Sequence, residues 1–195
     1  DTKKNKEDSI INFYDKLIDK DKLEYLKSLP QIDTLAAKNL SPFFRIKEDE
    51  FSQDGRIWYT PKNAPKYVDI NAFYPYFMTS GKYNLASNLR IKFQYAANDW
   101  LFIRKLQFSI DGDAYEYILS DAKRDNNSTI WEWSDDSVDK NIYEILQKIA
   151  ISKNVKMKII GSDYHKIKTI TKQQIEDIKR TLEYYEALGG EKPQY

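Results

Sequence analysis

Hydrophobic positions along the chain change their period several times, and each change marks an element. From Ser9 onward, Ile10, Phe13, Tyr14, Leu17 and Ile18 recur at helical spacing, with the Ser9 hydroxyl placed to cap the first free amides. Leu23, Leu26 and Leu29 extend this helical lead-in to Pro30, which forces its predecessor out of the α region. The pattern then shortens to strands at Phe43 to Ile46 and Ile57 to Thr60, separated by an acidic loop with an Asp54-Gly55 turn. Val68 to Met78 carries an aromatic run in which Pro75 predicts an edge strand or a bulge.

The clearest alternation follows. Leu89, Ile91, Phe93 and Tyr95 share one face against Arg90, Lys92 and Gln94 on the other. Asn98-Asp99 turns the chain, and Trp100, Phe102, Leu106, Phe108 and Ile110 read as the partner strand. Asp111-Gly112 then signals a hairpin before Tyr115, Tyr117 and Leu119, so the three strands predict a meander. Asp121 to Thr129 reads as a loop and Ile130 to Trp133 as a short strand whose tryptophans share a face, most simply the core face. A helix with the stripe Val138, Ile142, Ile145, Leu146 and Ile149 comes next, capped by Asp136 or Ser137. Val155 to Ile160 is a strand with Lys156 and Lys158 on its second face, and Tyr164 to Thr169 pairs back after a Gly161-Ser162-Asp163 turn. The last helix has a capping box at Thr171 and Gln174, a buried stripe of Ile175, Ile178, Leu182 and Tyr185, and a Gly189-Gly190 stop.

This order, without βαβ alternation or internal repeat, predicts an α+β fold built on a largely antiparallel β-sheet or sandwich, with an N-terminal helical segment, one late amphipathic helix and a C-terminal helix. The expected organisation is a polar tether at 1–8, a single domain at 9–190 (helical lead-in 9–40, sheet and helices 41–190) and a tail at 191–195. A chain of 195 residues can bury about 70% of its surface, enough for one core.

Composition removes several chemistries. Without cysteine there is no disulfide, thiolate metal site or cysteine nucleophile, and with one histidine, His165, no multi-histidine metal site. Lys and Arg total 31 against 30 Asp and Glu, so no global charge draws the chain to nucleic acid or an anionic membrane. No phosphate loop, nucleophile elbow or dinucleotide fingerprint is present. Asp111-Gly112-Asp113 and Asp121 to Asn127 lack the order of oxygen ligands that calcium needs, and neither a metal nor any other cofactor is expected.

Three features remain as candidate chemistry. Acids at Asp121, Asp125, Glu132, Asp135, Asp136 and Asp139 stand near Trp131 and Trp133, the mixture of carboxylates and rings that glycoside hydrolysis uses; helix capping and core packing are the plainer reading. A lysine strip, Lys153, Lys156, Lys158, Lys166, Lys168 and Lys172, is a phosphate-binding pattern that also serves to protect an edge strand. Fifteen Tyr, nine Phe and four Trp exceed what one core needs, so some are expected at a recognition surface; Tyr59, Tyr74, Tyr76, Tyr164 and Tyr184 flank loops or weakly periodic segments. The candidate ligand-binding set is therefore Tyr59, Tyr74, Tyr76, Trp131, Glu132, Trp133 and Tyr164, with no catalytic or metal residue assigned.

The segments FSQDGRIWY (Phe51 to Tyr59), Ala72 to Tyr76, LRIKFQYAANDWLFI (Leu89 to Ile103), FSIDG (Phe108 to Gly112), IWEWSD (Ile130 to Asp135) and Thr171 to Gly190 together resemble a family of bacterial exported proteins and lipoproteins without an assigned biochemical activity. The resemblance covers roughly Phe44 to Gly190. It implies a cell-envelope or secreted location, with a lipid-modified cysteine ahead of a polar tether such as Asp1 to Asp8; separately, a first residue of Asp1 with no charged leader or apolar stretch after it reads as a chain that begins after something has been removed. The function expected on these grounds is a non-enzymatic, envelope-associated binding or interaction domain. Its partner would be an envelope protein or a glycan, nucleic acid is not expected, and membrane contact would run only through the N-terminal anchor. The alternative is a carbohydrate-active enzyme or carbohydrate-binding module using 121–139.

Overall fold

The longest alternation in the sequence becomes the longest strand. In a computed structural model, which describes residues 20, 21, 23, 24, 31–81 and 84–194, Leu85–Ala97 runs through the centre of a six-stranded sheet. The expected tether and most of the helical lead-in lie outside the described residues. In chain order the strands are β1 (Phe44–Glu48), β2 (Ile57–Pro61), β3 (Ala72–Ser80), β4 (Leu85–Ala97), β5 (Lys105–Ile110), β6 (Asp113–Ile118), β7 (Lys123–Asn126), β8 (Ile130–Ser137), β9 (Val155–Ile160) and β10 (His165–Ile170). The helices are α1 (Thr34–Leu40), α2 (Lys140–Ile151) and α3 (Lys172–Ala187). Every strand pair is antiparallel, which makes this the α+β fold that the element order implies.

The strands divide between a large sheet, β1-β2-β3-β4-β8-β7, and a small one, β10-β9-β5-β6. Leu89, Ile91, Phe93 and Tyr95 of β4 point into the core between the sheets, where the Phe73 and Phe108 rings meet 5.3 Å apart. Ile142, Ile145, Leu146 and Ile149 of α2 and Ile175, Ile178 and Leu182 of α3 complete it, each on the stripe that helical periodicity predicts. The capping box at Thr171 and Gln174 is formed, and α3 ends before Gly189 at φ 79°. Asp111 and Gly112 take positive φ values of 48° and 107°, which give the β5–β6 hairpin its tight turn.

Three local expectations are corrected, and a fourth, the edge strand or bulge at Pro75, is met as a bulge. β4 and β5 do not pair: residues 98–104 form no turn but cross from the large sheet to the small one, so the predicted meander is split between sheets. The segment read as a loop contains β7, paired with β8. Helix α2 is capped by Asp139, whose side chain accepts from the Ile142 amide, while Asp136 and Ser137 stay in β8. β3 is interior; the Pro75 signal is met because β2 pairs only with Phe77 to Thr79, leaving Pro75 one ladder partner, Ile91, beside a bulge at Tyr76/Met78.

The crossing segment is clamped against the small sheet by close backbone contact. Ser162 donates its amide to the Leu101 carbonyl at 3.1 Å, and Arg104 donates to Ile160 at 2.9 Å. This approach leaves no room beside Gly161: a Cβ there would lie 1.8 Å from the Leu101 oxygen. The replacement Gly161→Ala is expected to cost about 3 kcal/mol, the scale of severe overpacking. Urea denaturation checks it; an unchanged midpoint would show that the crossing segment shifts freely.

Candidate functional site

Strand β8 sets the site. Its alternation buries Ile130, Glu132, Ser134 and Asp136 and turns Trp131, Trp133 and Asp135 outward, half-buried. The tryptophans share a face as their spacing requires, but it is the outer face of the large sheet and not the core. The ladder then fixes their neighbours: Tyr74, Lys92 and Asp135 form one row across β3, β4 and β8, Tyr76 and Arg90 the next, and Gln94 faces Trp133. Trp58 on β2 extends the surface, with its ring 5.6 Å from Tyr76; Tyr74 follows at 6.2 Å from Tyr76.

Between the rings lies an ionic cluster. Asp135 accepts from the Tyr76 hydroxyl at 2.7 and 2.8 Å and from Arg90 Nε at 2.7 Å, and Arg90 also donates to the Asp135 carbonyl at 2.6 Å. Lys92 Nζ stands 3.8 Å from Asp135, a looser pairing that keeps the ammonium available. Burial and then the Asp135 charge push the Tyr74 phenol up to about 12, and burial with the Asp135 hydrogen bond raises Tyr76 further. Both phenols are therefore neutral donors at physiological pH.

The connector between β2 and β3 forms a rim at one end. Ala64 packs with Ala72 and Tyr74, Arg45 donates to the Ala64 carbonyl at 2.8 Å, and the Asn71 side chain donates to Ala96 at 3.1 Å. Here Tyr74 borders a groove of about 370 Å³ with Asn63, Asn71, Gln173 and Asp177; Asn63 and Gln173 donate to the Asp177 carboxylate at 3.0 Å. At the opposite end Trp58 borders a groove of about 350 Å³ shared with Glu48, Asp49 and Phe51, the last almost fully exposed.

Of the residues singled out from sequence, Tyr74, Tyr76, Trp131 and Trp133 come together on this side of the sheet, Tyr74 buried there against Ala64, and four do not. Tyr59 is buried in the core, stacked 4.9 Å from Phe77; Tyr184 lies beside it, 5.3 Å away and also buried, so neither is at the surface. Tyr164 is exposed in the β9–β10 turn on the small sheet. Glu132 is wholly buried. The reading missed Trp58, whose opposition to Tyr59 in β2 was visible as alternation, and Arg90 and Lys92, which join Asp135, one of the acids named from sequence, only through strand register.

Glu132 does chemistry of a structural kind. One carboxylate oxygen accepts from the Leu101 and Phe102 amides at 2.7 and 2.9 Å, the other from Ile103 at 2.9 Å and from Arg124 Nε at 3.1 Å. Three successive amides converging on one anion make a nest, with Phe102 at φ 54° as its strained middle residue. Both oxygens are occupied by donors, so the carboxylate serves as a structural acceptor. Asp136, also buried, is held by the Tyr117 and Ser120 hydroxyls and by the Ser120 amide at 3.2 Å. Among the described residues no three acidic or histidine side chains converge on a metal position.

Fold and site together define an antiparallel α+β domain with an aromatic, ion-laced outer sheet face. Comparison with protein-family models, curated proteins and solved structures finds no match to this chain.

Two measurements test this description. Glu132→Gln leaves an amide group against converging N–H donors and is expected to destabilise the fold by about 3 kcal/mol; a denaturation midpoint equal to wild type would refute the anchor. Alkaline titration at 295 nm probes the phenols. Tyr74, Tyr76, Tyr95, Tyr117, Tyr143, Tyr184 and Tyr185 are all raised, each chiefly by burial. Below the unfolded value near pH 10 both states hold these protons, and their contribution is fully present. As pH climbs from there through the folded values, stability is lost, so these phenolates should form only as the circular dichroism collapses. Ionisation of all tyrosines near pH 10 with the fold intact would contradict it.

Proposed function

We propose that this chain is a non-enzymatic, envelope-associated binding domain whose ligand face is the outer surface of the large sheet, and that the ligand is a glycan. The observation that carries the reading is the placement of Trp58, Tyr76, Trp131 and Trp133 on one face of neighbouring strands, with Tyr74 buried beside them and Arg90, Lys92 and Asp135 fixed among them. Ring faces stack on the apolar C–H faces of sugars, and a hydrogen-bonding tip or neighbour meets the hydroxyls. Same-face residues repeat about every 7 Å along a strand and about every 5 Å across strands, which suits an extended polymer better than a small enclosed substrate. The amide-rich groove beside Tyr74 prolongs that surface.

Hydrolysis would need one free carboxylic acid and one free carboxylate flanking a bond. Glu132 is enclosed by backbone amides and Asp135 is tied to Tyr76 and Arg90, so the carboxylates support binding and not turnover. The envelope location rests on the resemblance of the Leu89 to Ile103 and Ile130 to Asp135 segments to exported proteins.

The test is saturation binding to isolated cell-wall and outer-envelope polysaccharides. Wild type is expected to bind saturably without releasing reducing ends, and Trp131→Ala with Trp133→Ala should weaken binding at least about tenfold with unchanged circular dichroism. Equal binding by the double variant, or no polysaccharide bound at all, would sink the reading.

A further inference from the structure

The small sheet has an open edge of a different character. β10 is terminal in the order β10-β9-β5-β6, and His165 to Thr169 are all exposed. Gly161 donates to the Tyr164 carbonyl at 2.9 Å, which sets the phase of the ladder: hydrogen-bonded pairs fall at Ile159/Lys166, Met157/Lys168 and Val155/Ile170. The N–H and C=O groups of His165, Ile167 and Thr169 therefore point away from β9, and among the described residues no segment pairs with them.

The side chains along this edge are sorted by face. Lys166 and Lys168 lie on one side; His165, Ile167 and Thr169 lie on the other. Ile167 is 60% exposed and borders a groove of about 400 Å³ that it shares with Gln107, Tyr115, Glu116, Lys156 and Lys158. None of Lys156, Lys158, Lys166 and Lys168 has a carboxylate within salt-bridge distance among the described residues.

We propose that β10 is a docking edge for an extended segment of a partner protein in which acidic and apolar residues alternate. Added beside β10, such a strand continues the ladder through the outward groups of His165, Ile167 and Thr169. Its acids face Lys166 and Lys168 as cross-strand pairs, and its apolar residues cover Ile167 at the mouth of the groove. The same lysines select the occupant. A second copy pairing along β10 would set Lys166 and Lys168 against their own counterparts, and this repulsion is how edge strands avoid self-association. An oligonucleotide would satisfy the charges but cannot extend a backbone ladder or cover Ile167. This surface is on the small sheet and is independent of the glycan face.

The probe is a fluorescent heptapeptide alternating Glu or Asp with Val, titrated onto the full chain at low salt and read by polarisation. Saturable binding is expected. Lys166→Glu with Lys168→Glu should weaken it about tenfold or more. Ile167→Pro removes one outward N–H without touching the β9 ladder and should weaken it by at least about fivefold. Should that variant lose native circular dichroism, N-methylation supplies the ligand-side equivalent. Of two peptides methylated on alternate amides, only the one blocked on the amides facing β10 should lose binding. No saturation up to about 1 mM, equal loss with both methylated peptides, or tighter binding of a single-stranded oligonucleotide than of the peptide would overturn the proposal.

Discussion

The carboxylate of Glu132 is the constraint on which the two-sheet arrangement depends. Residues 98–104 must leave the large sheet after β4 and enter the small one at β5, and an extended crossing of this kind strands backbone amides away from any ladder. Glu132 takes up three of them, Leu101, Phe102 and Ile103, from one buried position, and Arg124 supplies the compensating charge. A buried anion is costly unless it is fully hydrogen-bonded and paired, and here both conditions hold at once. From the other side, the Leu101 carbonyl accepts from Ser162 over Gly161, so the crossing is gripped between β8 of one sheet and the β9–β10 turn of the other.

That grip decides what β8 shows to the outside. Strand alternation is strict, so placing Glu132 inward forces Trp131 and Trp133 outward, and a second inward acid, Asp136, joins β8 to Tyr117 of the small sheet and sends Asp135 outward to Arg90. The aromatic face is thus a geometric consequence of the buried carboxylates. Arg124 belongs to both worlds: it pairs with Glu132 and its guanidinium lies 5.4 Å from the Phe102 ring centroid, sealing the nest where it would otherwise meet solvent.

Much of the fold was legible in the sequence wherever the determining signal is local. The Asp111-Gly112 hairpin, the Thr171 capping box and the stripes of α2 and α3 each depend on residues within a few positions of one another, and each formed as predicted. The division into two sheets was not legible, because it hangs on a contact between Glu132 and amides some thirty residues earlier, which leaves no periodic trace. For the same reason period-2 spacing put both tryptophans on one face without saying which. Tyr59 and Tyr184 were misplaced because flanking loops said nothing of the aromatic cluster with Phe44 and Phe77 that buries them. Trp58, Arg90 and Asp135 became a site only when register across three strands was known.

The outer side of the large sheet and the β10 edge of the small one differ in how firmly their charges are held, and this difference follows from topology. On the large sheet the outer face belongs to interior strands, so Arg90 and Asp135 have neighbours on both sides and lock into a cluster with Tyr76. Such a surface is pre-organised, and a ligand of the proposed kind would meet groups already oriented at little further entropic cost. On the small sheet the lysines of β10 stand at an edge, with no strand beyond them to supply counter-charges. Their side chains remain solvated, and the backbone groups of His165, Ile167 and Thr169 beside them point away from β9, so whatever binds there must bring both the opposite charge and the missing ladder. Rings with locked polar groups suit recognition of a rigid, uncharged surface, whereas an open ladder beside free ammonium groups suits capture of an extended acidic strand.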